Sequence, residues 1–159
     1  MGNAEAAGAA DIVVLTLPFG AHPEILPPLR EHVRGKVVVD TTVPLESFRP
    51  PVLRQVPEGS AAQRVQALLP EARVVAAFHT VAAARLAAVG RPLEQDTLVC
   101  GDDAGAREAV GVLATAIGLR PVDAGPLAFA RWLEQVAALI IALNQRHRRT
   151  SIGVQFVGL

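Results

Sequence analysis

Residues 36–44, KVVVDTTVP, join an unbroken run of valines to a short polar turn that is closed by a proline. An uninterrupted apolar run is typical of a strand in a parallel sheet whose two faces are both covered. Four further segments have this character: 12–17 (IVVLTL), 73–78 (RVVAAF), 97–100 (TLVC) and the weaker 119–123 (LRPVD). Together with 36–40 (KVVVD), they predict five strands of a mostly parallel sheet.

Helical patterns separate these strands. Ser60 and Gln63 have the three-residue spacing of a capping box, and Asp103 can cap a helix that ends before Gly118. Further helices are predicted at 3–10, 24–33 and, as a long C-terminal helix, 127–146. This alternation predicts an α/β fold with a Rossmann-like, doubly wound sheet. The proline-rich residues 43–59 are predicted to form a loop, and 154–157 an edge strand.

The length of 159 residues predicts a single domain. Within it we expect a dinucleotide-binding, Rossmann-like part at 1–125, with a C-terminal helix and edge strand at 126–159 packed on it. Hydrophobic residues make up 51% of the chain, which argues against disorder. Charge is balanced, with 15 basic and 15 acidic side chains, so a broad nucleic-acid surface is not expected.

The single cysteine, Cys100, permits no intrachain disulfide, so a reducing compartment is expected. No uninterrupted apolar run approaches the ~18 residues that a membrane span needs. The first residues lack the basic and apolar regions of a signal peptide. These features predict a cytoplasmic protein without membrane contact.

The carboxyl ends of the predicted strands carry small polar side chains. In an open parallel sheet, ligands bind outside these ends. The four ends are 16–19, 40–44, 79–81 and 100–103, and Thr16 belongs to the first of them. A rim of hydroxyls and exposed backbone amides suits a planar cofactor.

The motifs of hydrolases, metal sites and nucleotide-phosphate loops are missing from the sequence. We therefore predict no catalytic acid, base or nucleophile and no metal ligand. A site of this kind can transfer a hydride between two cofactors, because the protein then supplies mainly position and electrostatics. No G-x-G-x-x-G turn is present, so tight dinucleotide binding by this chain alone is not expected.

Six stretches carry a family resemblance: ADIVVLTLPFGAH (10–22), GKVVVDTTVPL (35–45), EGSAAQRVQALLP (58–70), VVAAFHTVAAARLA (74–87), LVCGDDAGAREAV (98–110) and GLRPVDAGPLAFAR (118–131). In these stretches the chain resembles the NADPH-dependent reductases of the deazaflavin coenzyme F-420. The resemblance implies a Rossmann domain, hydride exchange between NADP(H) and the deazaflavin, and a homodimer. It also implies that this chain is a member truncated at its N-terminus.

The resemblance implies cofactor contacts in three regions. The nicotinamide half of NADP would lie beside Pro18, Phe19, His22, Thr42, Val43 and Pro44. The deazaflavin would face the loop of His79, Thr80, Val81, Ala82 and Ala83, with Gly125, Pro126 and Leu127 as its lower wall.

Two other functions stay open. The chain could be an inactive remnant or a module that binds the deazaflavin or a partner chain without turnover. It could also be another Rossmann dehydrogenase, which would need a Lys or His at the nicotinamide; the only lysine, Lys36, begins a strand at the other end of the sheet. Because no strand precedes 12–17, we expect that strand to be an open apolar edge that promotes self-association or low solubility.

Overall fold

The computed structural model describes residues 2–87 and 93–159. Its helices are α1 (Asn3–Ala9), α2 (His22–Ile25), α3 (Arg30–Val33), α4 (Ala61–Leu68), α5 (Ala83–Leu86), α6 (Ala104–Ala116) and α7 (Ala130–His147). Its strands are β1 (Ile12–Leu15), β2 (Val37–Asp40), β3 (Leu45–Phe48), β4 (Pro51–Leu53), β5 (Arg73–Ala76), β6 (Asp96–Gly101) and β7 (Arg120–Gly125). Short 3₁₀ turns lie at Phe19–Ala21, Pro27–Leu29 and Leu127–Phe129.

One sheet organises the molecule, with strand order β1-β2-β5-β6-β7. Strands β1, β2 and β5 are parallel, and their registers place Leu15, Asp40 and Ala76 at the same level. All four residues of β2 are buried, because helices cover the sheet on both sides. The predicted Rossmann-like α/β class with a mostly parallel sheet and a long C-terminal helix is confirmed.

Strand β6 runs antiparallel to β5, with Cys100 beside Ala76 and Gly101 beside Val75. Strand β7 is parallel to β6, so both point toward the amino-terminal edge of β1, β2 and β5. The prediction that residues 100–103 share a rim with the other strand ends is therefore wrong. Asp103 instead lies 3.8 Å from the guanidinium of Arg73, at the start of β5.

The sheet separates two apolar cores. On one face α4 and α7 pack over inward-facing side chains of the strands, and on the other face α6 does so. Along β2, Val38 belongs to the first core, whereas Val37 and Val39 belong to the second. This division follows from the alternating direction of side chains along a strand.

The predicted helix caps are present. The Ser60 hydroxyl accepts a hydrogen bond from the Gln63 backbone N–H at 3.0 Å. Asp103 accepts from the N–H of Ala106 at 2.6 Å. Gly118 follows α6 with a φ of +85°, which glycine adopts without a steric penalty.

Two segments differ from the sequence prediction. Residues 43–59 contain an antiparallel hairpin, β3–β4, in place of the predicted loop. Residues 154–157 form no strand. The N–H of Asp96, at the start of β6, donates to the Val154 carbonyl at 2.8 Å, whereas side chains bond the backbone of Phe156. The Asp96 carboxylate accepts from the Phe156 N–H, and the Arg120 guanidinium donates to the Phe156 carbonyl.

Helix α7 and the turn before it are unusually apolar. The stretch Leu127–His147 has a mean hydropathy of 1.4 and is long enough to cross a membrane, by length and composition only. It also contributes Leu127, Ala130 and Leu133 to the larger core of this domain. Its other side bears exposed apolar residues, including Trp132 and Leu139.

Candidate functional site

A crevice of about 380 Å³ lies at the carboxyl-terminal edge of β1, β2 and β5. Its volume falls within the usual range for small-molecule sites. Hydroxyls and apolar side chains from the three strand ends, from α5 and from α6 line it: Val14, Thr16, Thr41, Phe78, His79, Val81, Ala83, Leu86, Leu113 and Ile117. The parallel strands β1, β2 and β5 bring their ends together here, as the sequence indicated.

The loop after β5 is held in a strained conformation. Phe78 has a φ of +66°, in the left-handed region that a bulky residue rarely adopts. Its backbone N–H donates to the Thr97 hydroxyl at 3.0 Å. On the neighbouring strand end, the Thr41 hydroxyl donates to the Leu15 carbonyl at 2.9 Å. The first bond ties the loop after β5 to β6, and the second ties the end of β2 to that of β1.

His79 lies on the crevice wall as a neutral imidazole. Its Nε2 is 3.1 Å from the carbonyl oxygen of Thr42. Burial lowers the pKa of His79 to about 4, although the carbonyls of Thr42 and Ala77 act in the opposite direction. At neutral pH this side chain therefore carries no positive charge.

A buried polar cluster lies behind this wall. The Thr42 hydroxyl is 2.6 Å from Oδ1 of Asp40 and 3.1 Å from Nε2 of His22. Phe19 packs against the His22 ring, with 5.4 Å between ring centroids. Burial, and then the charge of Arg64, lower the pKa of His22 to about 4.

Two carboxyl groups are buried beside this cluster. Burial raises the pKa of Asp40 to about 7, against the opposing hydrogen bonds from Thr42. Burial likewise raises the pKa of Glu134 to about 8, and the nearby Asp40 carboxyl adds to this shift. Glu134 Oε1 accepts from the N–H of Ala61 at 2.8 Å, so α7 caps the start of α4.

The residues expected to contact cofactors divide into three groups. Thr16, His79, Val81 and Ala83 line the crevice. Others lie next to it in the chain, and several of these are buried and form its support: Pro18, Phe19, His22, Thr42, Val43, Pro44, Thr80 and Ala82.

The third group, Gly125, Pro126 and Leu127, does not join the crevice. Gly125 pairs with Cys100 at the end of β7, and the chain then leaves toward the opposite edge of the sheet. There the N–H of Leu127 donates to Asp102 at 2.9 Å. The expectation that these residues form a wall of the same pocket is corrected by the antiparallel direction of β6 and β7.

Sequence reasoning missed Asp40 and Glu134 as parts of the site. A signal was present for Asp40, because an acidic residue follows three valines in a strand that is otherwise fully apolar. Cys100 is buried, and this burial raises its pKa to about 12. Over residues 2–87 and 93–159, no group of three or more His, Cys, Asp or Glu side chains is arranged to hold a metal ion.

Comparison with known proteins gives a consistent result. The family model for coenzyme F420-dependent NADP oxidoreductases matches residues 1–44. The F420-dependent NADP reductase of Methanocaldococcus jannaschii is 37% identical over 161 residues, which cover 99% of this chain and 72% of the relative. Its counterpart in Methanothermobacter thermautotrophicus is 39% identical over 163 residues, covering 99% and 70%.

A solved structure has the same fold over nearly the whole chain. It is a crystal structure from Arthrobacter sp. FB24, provisionally assigned as an F420-dependent NADP reductase. The match has a TM-score of 0.86 at 27% identity and covers 97% of this chain and 72% of that one. By sequence relationship over almost all of its length, the chain belongs to the F420-dependent NADP reductase family.

Proposed function

We propose that this chain supports hydride transfer between NADP(H) and the deazaflavin coenzyme F420, as the names of its relatives state for them. The crevice at the ends of β1, β2 and β5 is the observation that carries the proposal. When bound, the two cofactors supply the chemistry, since a hydride passes from one reduced ring to the other oxidised ring. The protein residues need only bind and orient the rings and keep water away from them.

The crevice residues fit a flat, uncharged ring. Val14, Phe78 and Val81 offer apolar surface, and the Thr16 and Thr41 hydroxyls can bond to ring oxygens or nitrogens. Neutral His79 adds its ring to the crevice wall without repelling or attracting charge. We propose Thr16, His79, Val81 and Ala83 as cofactor contacts, with His22 and Thr42 supporting them from behind.

The activity is tested with the purified chain, NADPH and the deazaflavin, by following the absorbance of both cofactors. Val81→Trp should fill the crevice and lower kcat/KM by about tenfold or more, since small misplacement of reacting rings is costly. Val112→Trp is the matched control, because Val112 is exposed on α6 and does not line the crevice. Absence of turnover in the wild-type chain, or equal effects of the two substitutions, would contradict the proposal.

A second candidate is binding of the deazaflavin without turnover. The crevice lining is compatible with it, because apolar side chains and hydroxyls that bind a flat ring do so whether or not a second cofactor is present. Fluorescence titration separates the two functions. Deazaflavin binding with neither NADPH binding nor turnover would support the binding module.

We further propose a cytoplasmic homodimer that pairs through the exposed side of α7. Phe129, Trp132, Val136, Leu139 and Leu143 recur at spacings of three and four residues, which is the pattern of a seam between two helices. Trp132 and Leu139 are 45% and 58% exposed, so this stripe lacks a partner within the described part of the chain. The exposed Arg131, whose guanidinium lies over the Trp132 ring, favours a protein partner over a lipid one.

Light scattering tests the dimer. Leu139→Lys should give monomers, whereas Val112→Lys, at a position on α6 that is also exposed, should leave the dimer intact. Val14 is 44% exposed on the outer edge of β1. If Leu139→Lys still associates but Val14→Lys does not, this strand edge is the contact between copies. Co-sedimentation of the wild-type chain with lipid vesicles would oppose the dimer proposal for α7.

A further inference from the structure

Asp40 lies behind the crevice and does not line it. It is fully buried at the end of a strand whose other residues are valines. A valine in its place would avoid the cost of burying a carboxyl group. The contacts of Asp40 must therefore account for the presence of a carboxyl group at this position.

The contacts of Asp40 pass through Thr42 to both imidazoles. Asp40 Oδ1 lies 2.6 Å from the Thr42 hydroxyl and 3.3 Å from the Thr42 N–H. The same hydroxyl is 3.1 Å from Nε2 of His22, and the Thr42 carbonyl is 3.1 Å from Nε2 of His79. Thr42 is thus the link between Asp40 and a histidine on the crevice wall.

The available hydrogens fix the direction of each bond. The Thr42 N–H can only donate, so Oδ1 of Asp40 is an acceptor whether or not the carboxyl carries a proton on Oδ2. The Thr42 hydroxyl then donates its single hydrogen to Asp40, over the shorter distance. Its oxygen accepts from His22, which must carry its hydrogen on Nε2. A carbonyl only accepts, so His79 also carries its hydrogen on Nε2.

We infer that Asp40 is a positioning residue which, through Thr42, fixes His22 and His79 as Nε2–H tautomers and sets the orientation of His79 on the crevice wall. The ring nitrogens left over, Nδ1 of both histidines, are buried and have no hydrogen-bond partner among the described residues. The Nε2 contacts are therefore the hydrogen bonds that hold the two rings, with the Ala77 carbonyl as a further polar neighbour of His79. The expected effect of Asp40 on turnover rests on the proposed function, whereas its expected effect on the two imidazole rings does not.

Ring N–H resonances in proton and nitrogen NMR spectra test the inference on the free protein. Asp40→Ala should accelerate exchange of both the His22 and the His79 ring N–H with water by about tenfold or more, because the bonded network opens. Asp40→Asn keeps an acceptor oxygen for Thr42 and should restore exchange to within about threefold of wild type. The exposed His32 and His147 serve as internal references.

Substitutions of Thr42 test the same inference independently. Thr42→Val removes the hydroxyl at nearly constant shape and should release the His22 N–H, whereas Thr42→Ser should retain it. These variants decide the inference if Asp40→Ala does not fold. Asp11→Asn and Thr115→Val are matched controls at exposed positions.

Two results would overturn the inference. One is unchanged exchange of the His22 and His79 ring N–H in Asp40→Ala, or of the His22 ring N–H in Thr42→Val. The other is an Asp40→Asn variant that behaves like Asp40→Ala, which would show that the acceptor oxygen is not what matters. In the hydride-transfer assay, Asp40→Ala should lower kcat/KM by about tenfold with Asp40→Asn close to wild type. Absence of turnover in the wild type would contradict the proposed function, but it would not affect the NMR test of the inference.

Discussion

Asp96→Asn tests whether one ion pair holds the C-terminal tail on the sheet. The Asp96 carboxylate is 1% exposed and accepts two hydrogen bonds from Arg120, each at 2.7 Å. It also accepts from the N–H of Phe156. The same arginine donates to the Leu159 carbonyl at 3.0 Å, so one carboxylate organises the tail through direct and indirect contacts.

The loss of stability expected for Asp96→Asn follows from these contacts. A hydrogen bond to a charged group contributes about 1.5–3 kcal/mol when it is buried. The Arg120 side chain is 47% exposed and can be hydrated when it loses its partner, so each bond is worth less here. We expect the free energy of unfolding to fall by about 2 kcal/mol at neutral pH.

Urea denaturation at several pH values is the assay. The bonds from Arg120 hold the pKa of Asp96 below its ordinary value of 3.8. The folded state thus favours the carboxylate, and this stabilisation is present above pH 3.8 and is lost as the pH falls further. The gap between wild type and Asp96→Asn should therefore be constant from pH 5 to 8 and should shrink in more acidic solution.

Asp11→Asn, at an exposed aspartate, is the control and should change stability by less than about 0.5 kcal/mol. The reasoning is refuted if Asp96→Asn is as stable as this control at neutral pH. It is also refuted if the gap persists unchanged at pH 3, since the ion pair would then not be its source. Proteolysis of the tail should accelerate in Asp96→Asn alone.

Three further outcomes are expected. Leu26→Ala, at a fully buried position in the larger core, should lower the free energy of unfolding by about 3 kcal/mol in urea. Ser60→Ala should cost about 1 kcal/mol and speed amide exchange at Gln63, because the cap of α4 is lost. Burial raises the pKa of Glu134 to about 8, so the folded state retains this proton more tightly and stability declines as the pH rises from 4.5 toward 8. Glu134→Gln cannot ionise and should gain stability relative to wild type over that range; a pH-independent difference in thermal unfolding would disprove this.

Most of the sheet could be predicted because its signal is local. Unbroken valine runs identify strands covered on both faces, and Ser60 and Asp103 mark helix starts by their own hydrogen bonds. The direction of β6 could not be predicted in this way, since a short apolar run has the same pattern whichever way it crosses the sheet. The hairpin β3–β4 was missed because two adjacent prolines, Pro50 and Pro51, are more typical of a loop.

The candidate site was predictable to the extent that it depends on strand ends. Thr16 and His79 line the crevice because their strands are parallel and end at one level. Glu134 could not be found, as it comes from a helix far away in sequence and contacts Ala61 only after folding. The left-handed backbone of Phe78 likewise depends on tertiary contacts that no local propensity describes.

The cap that Glu134 places on α4 has a consequence for synthesis on the ribosome. The larger core needs Leu127, Ala130 and Leu133, and α4 is capped by a carboxyl oxygen from the same helix. A nascent chain that lacks α7 therefore leaves to water the part of this core that Leu127, Ala130 and Leu133 cover. This core is completed only after α7 has left the exit tunnel, and until then a chaperone that shields aliphatic surface can bind the exposed part.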